Sequence, residues 1–128
     1  MKEQQHQMIL IVDKDERVLR VIDSFLANAG FDTRTASDRH VALDLLHSQD
    51  CDLVLVADHF ADFFLGRFFH GLQGLSTRPS VIVMESGPVH TDAGTYTFFG
   101  ASKAVDKWRP CEVLAAVNDV LSSVPLNK

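Results

Sequence analysis

Two aspartates lie where short apolar runs end, and carboxylates at such positions can hold a hard divalent cation. Asp13 follows the apolar run Met8–Val12, and Asp58 follows the apolar run Leu53–Ala57. A short apolar run without alternation is typical of a strand that is buried on both faces of a parallel sheet. Open α/β sheets keep their sites just beyond the carboxyl ends of such strands. The alternative is that the two acids only cap a helix and end a turn.

Polar side chains also follow the later apolar runs. Glu85 and Ser86 come directly after the fourth run, and Lys107 comes after the short fifth run. Because the carboxyl ends of parallel strands lie at one edge of a sheet, we expect these side chains to share a crevice with the two aspartates.

The chain must supply parallel strands and crossover helices to bring these residues together. Strands and helices alternate five times with short connections, which predicts a parallel sheet with helices on both faces and right-handed crossovers. The second strand is expected at an edge because charged residues alternate along it. The strands are predicted at 8–12, 31–36, 53–57, 81–84 and 104–105. The first helix is expected to end at Gly30, the second to begin after Ser37 and Asp38, and the last to begin at Pro110. Two further helices are predicted at 62–72 and at about 92–99.

Composition favours one globular domain that spans residues 1–128, with flexible ends at 1–7 and 123–128. Hydrophobic residues make up 46% of the chain and charged residues 23%, which is ordinary for such a domain. The net charge of -5 argues against a nucleic-acid-binding surface. No apolar run approaches the roughly 20 residues that a membrane helix needs, so no membrane partner is expected.

The cysteines and the N-terminus indicate a cytoplasmic protein. Cys51 is expected before the central strand and Cys111 near the start of the last helix, at opposite ends of the sheet, so a disulfide is not expected. The polar N-terminus has no long apolar stretch behind it, so no signal peptide is predicted. Reduced thiols are typical of the cytoplasm.

The arrangement of these residues resembles the receiver domain of two-component response regulators over nearly the whole chain. The resemblance implies a flavodoxin-like, doubly wound five-stranded parallel sheet in the order 2-1-3-4-5, with five helices. Four features carry it: the apolar run and acids at 9–16, the strand that ends at Asp58, Gly66 eight residues later, and Gly100-Ala101-Ser102 with Lys107 five residues further on.

Receivers accept a phosphoryl group from a histidine kinase onto an aspartate, and this transfer needs cations that neutralise charge. By resemblance, Asp58 is the candidate phosphoacceptor, and Lys107 and Ser86 are the candidate phosphoryl contacts. The resemblance also makes Asp13, Asp15 and Asp58 the candidate ligands of a Mg²⁺ ion, which prefers oxygen ligands.

Several positions depart from the family pattern around the phosphoacceptor and the metal. Lys14 stands where the family has a second acid, and Asp15 lies one position further on. Counting from the start of the strand places the phosphoacceptor at Ala57, whereas counting back from Gly66 places it at Asp58. The second choice needs one extra residue in the strand, which a β-bulge could absorb.

The last two strands also depart from the pattern. Glu85 stands in the place of the family's switch hydroxyl unless Ser86 takes that role. Ala104 replaces the aromatic residue of the fifth strand, and Trp108 follows Lys107 where the family has a proline.

These departures motivate the hypothesis of a site with its own counter-ion. The ammonium groups of Lys14 and Lys107 would stand permanently in the place of the metal ion, because a fixed cation opposes the binding of a second one. Their partners would be the carboxylates at the same edge of the sheet, those of Asp13, Asp58 or Glu85.

The leading expectation is a receiver-like domain that relays a two-component signal through protein contacts and has a degenerate phosphorylation site. Its partners would be a histidine kinase or another signalling protein, an effector domain or a second copy of the chain. The alternative is a phosphorylation-independent pseudo-receiver that acts as a binding or dimerisation module. An enzyme is not expected because no nucleophile–base pair is visible.

The helix predicted at 62–72 is unusually aromatic, with Phe63, Phe64, Phe68 and Phe69. Aromatic residues at helical spacing belong to the core more often than to a contact surface. All four cannot face inward from one helix, so one or two are expected to be exposed to a partner.

Overall fold

The computed structural model describes residues 7–57, 65–86 and 100–123. These residues form one sheet flanked by helices. The strands are β1 (Met8–Val12), β2 (Asp32–Ala36), β3 (Leu53–Ala57), β4 (Ser80–Glu85) and β5 (Lys103–Asp106), and the helices are α1 (Glu16–Asn28), α2 (Arg39–Ser48), α3 (Leu65–Leu72) and α4 (Pro110–Ser123).

The sheet has the order β2-β1-β3-β4-β5, and every neighbouring pair of strands is parallel. This confirms the flavodoxin-like order predicted from the resemblance and the edge position predicted for the second strand. Four of the five predicted helices are described. The helix predicted at 92–99 and the first three residues of the helix predicted at 62–72 lie outside the described residues.

The core has two halves because successive side chains of a strand point to opposite faces of the sheet. Ile9 and Ile11 of β1 point to one face, where they pack with apolar residues of α1 and α4. Leu10 and Val12 point to the other face, where they pack with α2 and α3. Full burial of such a side chain stabilises the fold by roughly 1.5–3 kcal/mol, so the two faces together fix the sheet between its helices.

Local sequence signals set the ends of the helices. Asp15 caps α1 by accepting the backbone N–H of Arg17, and Asp38 caps α2 in the same way. Gly30 adopts a φ of 102° just after α1, a left-handed conformation that glycine takes without steric cost. These ends fix where the chain enters each strand, and hence which side chains stand at the carboxyl edge of the sheet.

The aromatic residues of α3 that are described belong to the core. Phe68 and Phe69 are both buried, and their rings pack edge to face. Phe63 and Phe64 lie outside the described residues, so the predicted partner surface on this helix stays a prediction. In the part of the chain that the structure describes, no helix is both long and apolar enough to cross a membrane.

Both cysteines are free thiols in different surroundings. Cys51 is buried just before β3, and burial raises its pKa to about 11. Cys111 is exposed on α4. The two thiols are not joined to each other in the structure.

Candidate functional site

The carboxyl edge of the sheet brings Asp13 and Lys107 together, although 94 residues separate them in sequence. Alternate residues of a strand point to the same face of the sheet. Asp13 lies two residues after Ile11 of β1, and Lys107 lies two residues after Val105 of β5. Both therefore point to the face of the sheet that α1 and α4 cover. Two strands lie between β1 and β5, so the contact requires a long side chain, which lysine supplies.

The two side chains form a buried ion pair. Nζ of Lys107 lies 2.9 Å from Oδ2 of Asp13, and the side chains are only 3% and 1% exposed. The other carboxylate oxygen of Asp13, Oδ1, accepts the backbone N–H of Asp15 at 2.9 Å. Both oxygens of Asp13 therefore have donors, and one donor is a full positive charge, which makes this hydrogen bond charge-assisted.

Asp15 performs a different task from Asp13. Its carboxylate caps α1 and accepts both the backbone N–H and the guanidinium of Arg17. These hydrogen bonds, that of the Arg17 side chain first, hold the pKa of Asp15 below its ordinary value. Lys14, between the two aspartates, is exposed to solvent.

Two of the three expected Mg²⁺ ligands, Asp13 and Asp15, are among the described residues. The ammonium of Lys107 holds Asp13 and the guanidinium of Arg17 holds Asp15, so each carboxylate already has a cation whose charge opposes a bound Mg²⁺ ion. Asp58, the third expected ligand, lies outside the described residues. Within residues 7–57, 65–86 and 100–123, no three histidine, cysteine or acidic side chains are grouped as a metal site.

The strand before the candidate phosphoacceptor is regular to its last described residue. β3 pairs with β4 in unbroken register from Leu53 with Ser80 to Ala57 with Met84. A bulge that would shift the phosphoacceptor by one position is therefore not present within Leu53–Ala57. The candidate at Asp58 itself lies beyond the described part of the strand.

Trp108, which the sequence marked only as a replacement for the family's proline, contacts two residues of the site. Its indole N–H donates a hydrogen bond of 3.1 Å to Oγ of Ser86, the expected phosphoryl contact. The centre of its ring lies 5.8 Å from Nζ of Lys107, within the range of a cation–π contact. Ser86 and Trp108 follow neighbouring parallel strands, and that placement was the available sequence signal.

Two further acids are buried at the same edge. Glu85 and Asp106 are register partners on β4 and β5, and their exposed fractions are 4% and 6%. Asp106 accepts the backbone N–H of Trp108 at 2.9 Å and lies 3.7 Å from the guanidinium of Arg109. The backbone N–H of Lys107 donates a hydrogen bond to the carbonyl of Glu85, which extends the hydrogen bonding between β5 and β4 by one residue. Asp106 therefore shapes the turn that carries Lys107 and Trp108, a role that the sequence did not suggest.

Comparison by sequence finds no match to this chain among protein-family models or among curated proteins.

Comparison by structure gives close matches in fold. A response regulator receiver domain from Methanospirillum hungatei is 18% identical, with a TM-score of 0.80 over 92% of this chain and 95% of that chain. A signal receiver domain of an HD domain-containing protein from Pseudomonas fluorescens is 22% identical, with a TM-score of 0.78 over 92% and 96%. The chemotaxis response regulator CheY4 of Vibrio cholerae is 17% identical, with a TM-score of 0.79 over 91% and 99%.

The structural similarity covers nearly the whole length of this chain and nearly the whole length of each of the three proteins. Identities this low carry the fold and leave the chemistry to be argued from the residues of this chain. The sheet order, the parallel pairing and the structural matches agree on one conclusion: the chain has the fold of a response regulator receiver domain.

Proposed function

We propose that the chain is a phosphorylation-independent receiver-like module, a pseudo-receiver that takes part in two-component signalling through protein contacts, without a metal ion and without enzymatic activity of its own. The observation that carries this proposal is the buried pair between Lys107 and Asp13. The ammonium of Lys107 is a built-in counter-ion, and it occupies an oxygen that the resemblance assigns to Mg²⁺.

The physical argument concerns the charge that phosphoryl transfer needs. Catalysis of that transfer consists almost entirely of positioning and charge neutralisation, and bound metal ions neutralise part of the developing charge. A Mg²⁺ ion on Asp13 would have to expel an ammonium that is already desolvated and paired. The fixed ammonium therefore opposes the step that would load phosphate, and it supports the expectation of a degenerate phosphorylation site.

Exposed apolar side chains near the site support a role in protein contact. Val21 and Phe25 lie one turn apart on α1, and Trp108 lies beside the start of α4; their exposed fractions are 50%, 36% and 53%. Val21 and Trp108 line one groove of about 190 Å³. The apolar walls of this groove give a partner protein apolar area to bury. The partners that fit the proposal are a histidine kinase or another signalling protein, an effector domain or a second copy, in the cytoplasm.

The test is a phosphate-loading experiment on the purified chain. The protein is incubated with acetyl phosphate and Mg²⁺ and its intact mass is measured, with the Asp58→Ala variant beside it. We expect no phosphate mass on either protein. In parallel, the affinity of the purified chain is measured for histidine kinases and effector proteins that neighbouring genes encode. This affinity should be the same with and without acetyl phosphate.

A rival candidate is an ordinary phosphorylated receiver. It is favoured by the placement of Ser86 and Lys107 after neighbouring strands, as phosphoryl contacts would need. In that case the wild-type chain would gain one phosphate, Asp58→Ala would not, and affinity for a partner would change with phosphorylation. These three results together would show that the chain is a phosphorylated receiver and would contradict the proposed function.

A further inference from the structure

Trp108 links the ends of two strands beside the buried ammonium. Its indole N–H donates to Ser86, which follows β4, and its ring lies 5.8 Å from Nζ of Lys107. The ammonium is almost fully buried, with the Lys107 side chain 3% exposed, whereas Trp108 is 53% exposed. The ring therefore lies beside the buried ammonium and is itself open to solvent.

The backbone and the ring of Trp108 are held by different partners. The backbone N–H donates to the buried carboxylate of Asp106, and the next residue, Arg109, donates to the carbonyl of Asp106. The ring is held by its hydrogen bond to the exposed Ser86. A backbone bond to a buried acid is hard to exchange for water, whereas an exposed bond between side chains exchanges easily. The ring can therefore move while its backbone stays in place.

We propose that Trp108 is a latch: its bond to Ser86 holds the ring over Lys107, and release of that bond opens the ion pair to solvent. Trp108 is in this sense a positioning residue for the Lys107 ammonium. The inference deepens the proposed function, on which it rests, because it names what keeps the internal counter-ion in place and what a regulator would have to release.

The experiment measures how readily Lys107 is acetylated by a small anhydride, read by peptide mass spectrometry. Lys103 serves as the internal reference, because it begins the strand β5 that precedes Lys107 and its side chain is 42% exposed. Ser86→Ala removes the acceptor and Trp108→Phe removes the donor while keeping an aromatic ring. Ser86→Thr keeps the hydroxyl, and Ser122→Ala alters an exposed serine on α4 whose bond is to Asp119.

The latch predicts that Ser86→Ala and Trp108→Phe each raise the acetylation of Lys107 relative to Lys103 by about two- to tenfold, the factor that one hydrogen bond typically controls. The double variant should exceed neither single variant, because both remove the same bond. Ser86→Thr and Ser122→Ala should behave as the wild type. A variant that loosens the whole fold would also raise this ratio, because Lys103 is already exposed. It would raise the alkylation of the buried Cys51 thiol as well, which release of the latch alone leaves unchanged.

The inference is overturned if the ratio is the same in the wild type, Ser86→Ala and Trp108→Phe. Additive effects of the two substitutions would equally exclude a shared bond. If the acetylation ratios contradict the latch, the phosphate-mass experiment is unaffected and the proposed function stands. If the wild-type chain gains phosphate, the proposed function is overturned, but the acetylation ratios stay as they are. The two proposals can therefore fail separately.

Discussion

Two lysine–aspartate pairs at opposite ends of the same strand differ in almost everything except distance. Lys103, at the start of β5, lies 2.7 Å from Asp119, and the side chains are 42% and 63% exposed. Lys107, just past the end of β5, lies 2.9 Å from Asp13, with side chains 3% and 1% exposed. The first pair lies at the protein surface and the second lies inside the carboxyl edge of the sheet.

The comparison shows that the surroundings of an ion pair decide its role more than its geometry does. An exposed pair contributes about 0–1 kcal/mol, because water and salt screen it. A buried pair contributes little net stability after its desolvation cost, yet loss of one partner leaves an uncompensated charge in the interior. The outer pair is therefore dispensable, whereas the inner pair must stay complete or be exchanged for another cation.

The largest expected effect comes from removing the two lysines in turn. Lys107→Met should lower the free energy of unfolding by about 3–5 kcal/mol, because Asp13 would remain buried without its counter-charge. Lys103→Met, the matched control at the start of β5, should cost at most about 1 kcal/mol. Urea unfolding followed by circular dichroism measures both values. Equal losses for the two variants would break the comparison.

A second substitution should restore much of that loss. Asp13→Asn removes the buried charge but keeps an oxygen that can accept the backbone N–H of Asp15. Combined with Lys107→Met, it should recover roughly half or more of the stability lost by the single variant, because neutral pairs avoid the desolvation cost. The same urea titration checks it, and a double variant as unstable as Lys107→Met would show that the charge is not the cause.

The two thiols extend the comparison of buried and exposed groups to pH. Burial raises the pKa of Cys51 from 9.0 to about 11, so the unfolded chain loses this proton first as the pH rises. The stability from the protonated thiol is complete below pH 9 and is lost between pH 9 and about 11. This loss amounts to about 2 kcal/mol.

The matched variants for the thiols are Cys51→Ala and Cys111→Ala. Between pH 9 and about 11, the wild type and Cys111→Ala should lose about 2 kcal/mol more of their unfolding free energy than Cys51→Ala does. Denaturant titrations across this range give the three slopes. Parallel slopes for all three proteins would mean that the Cys51 thiol is not protected by burial.

The smallest expected effect separates the two ion pairs by salt. At about 1 M salt the screening length falls to about 3 Å, which removes most of the attraction between exposed charges. The cost of Lys103→Met should then vanish, while the cost of Lys107→Met should change little because its surroundings exclude ions. Stability measured at low and high sodium chloride tests this, and a strong salt dependence for Lys107→Met would place that pair at the surface.

Much of the fold was predictable because its signals are local. The apolar runs Met8–Val12 and Leu53–Ala57 became strands with the expected ends, since continuous apolar segments are stable only inside a covered parallel sheet. Asp38 caps α2, and Pro110 is the first residue of α4, as expected from their own chemistry. The strand order came from the resemblance rather than from any local signal.

The site was less predictable because it depends on side chains that meet from distant parts of the chain. The sequence led us to expect that both Lys14 and Lys107 pair with the acids. The structure shows the pair of Lys107 with Asp13, whereas Lys14 is exposed to solvent. Asp15 was assigned to Mg²⁺ by resemblance, whereas the start of α1 uses its carboxylate as a cap. The bond from Trp108 to Ser86 depends on a side-chain rotamer, which no sequence pattern specifies.

The most direct test of the central claim, that Lys107 stands in for the cation on Asp13, is a titration with Mg²⁺ and beryllofluoride that follows tryptophan fluorescence. Trp108 is the single tryptophan of the chain, and its ring lies 5.8 Å from the ammonium, so the departure of that ammonium would change its emission. The Lys107→Met variant, whose emission should differ from that of the wild type, establishes that the probe senses the charge. We expect no saturable change in the wild type with either ion, and a saturable change with both would contradict the account.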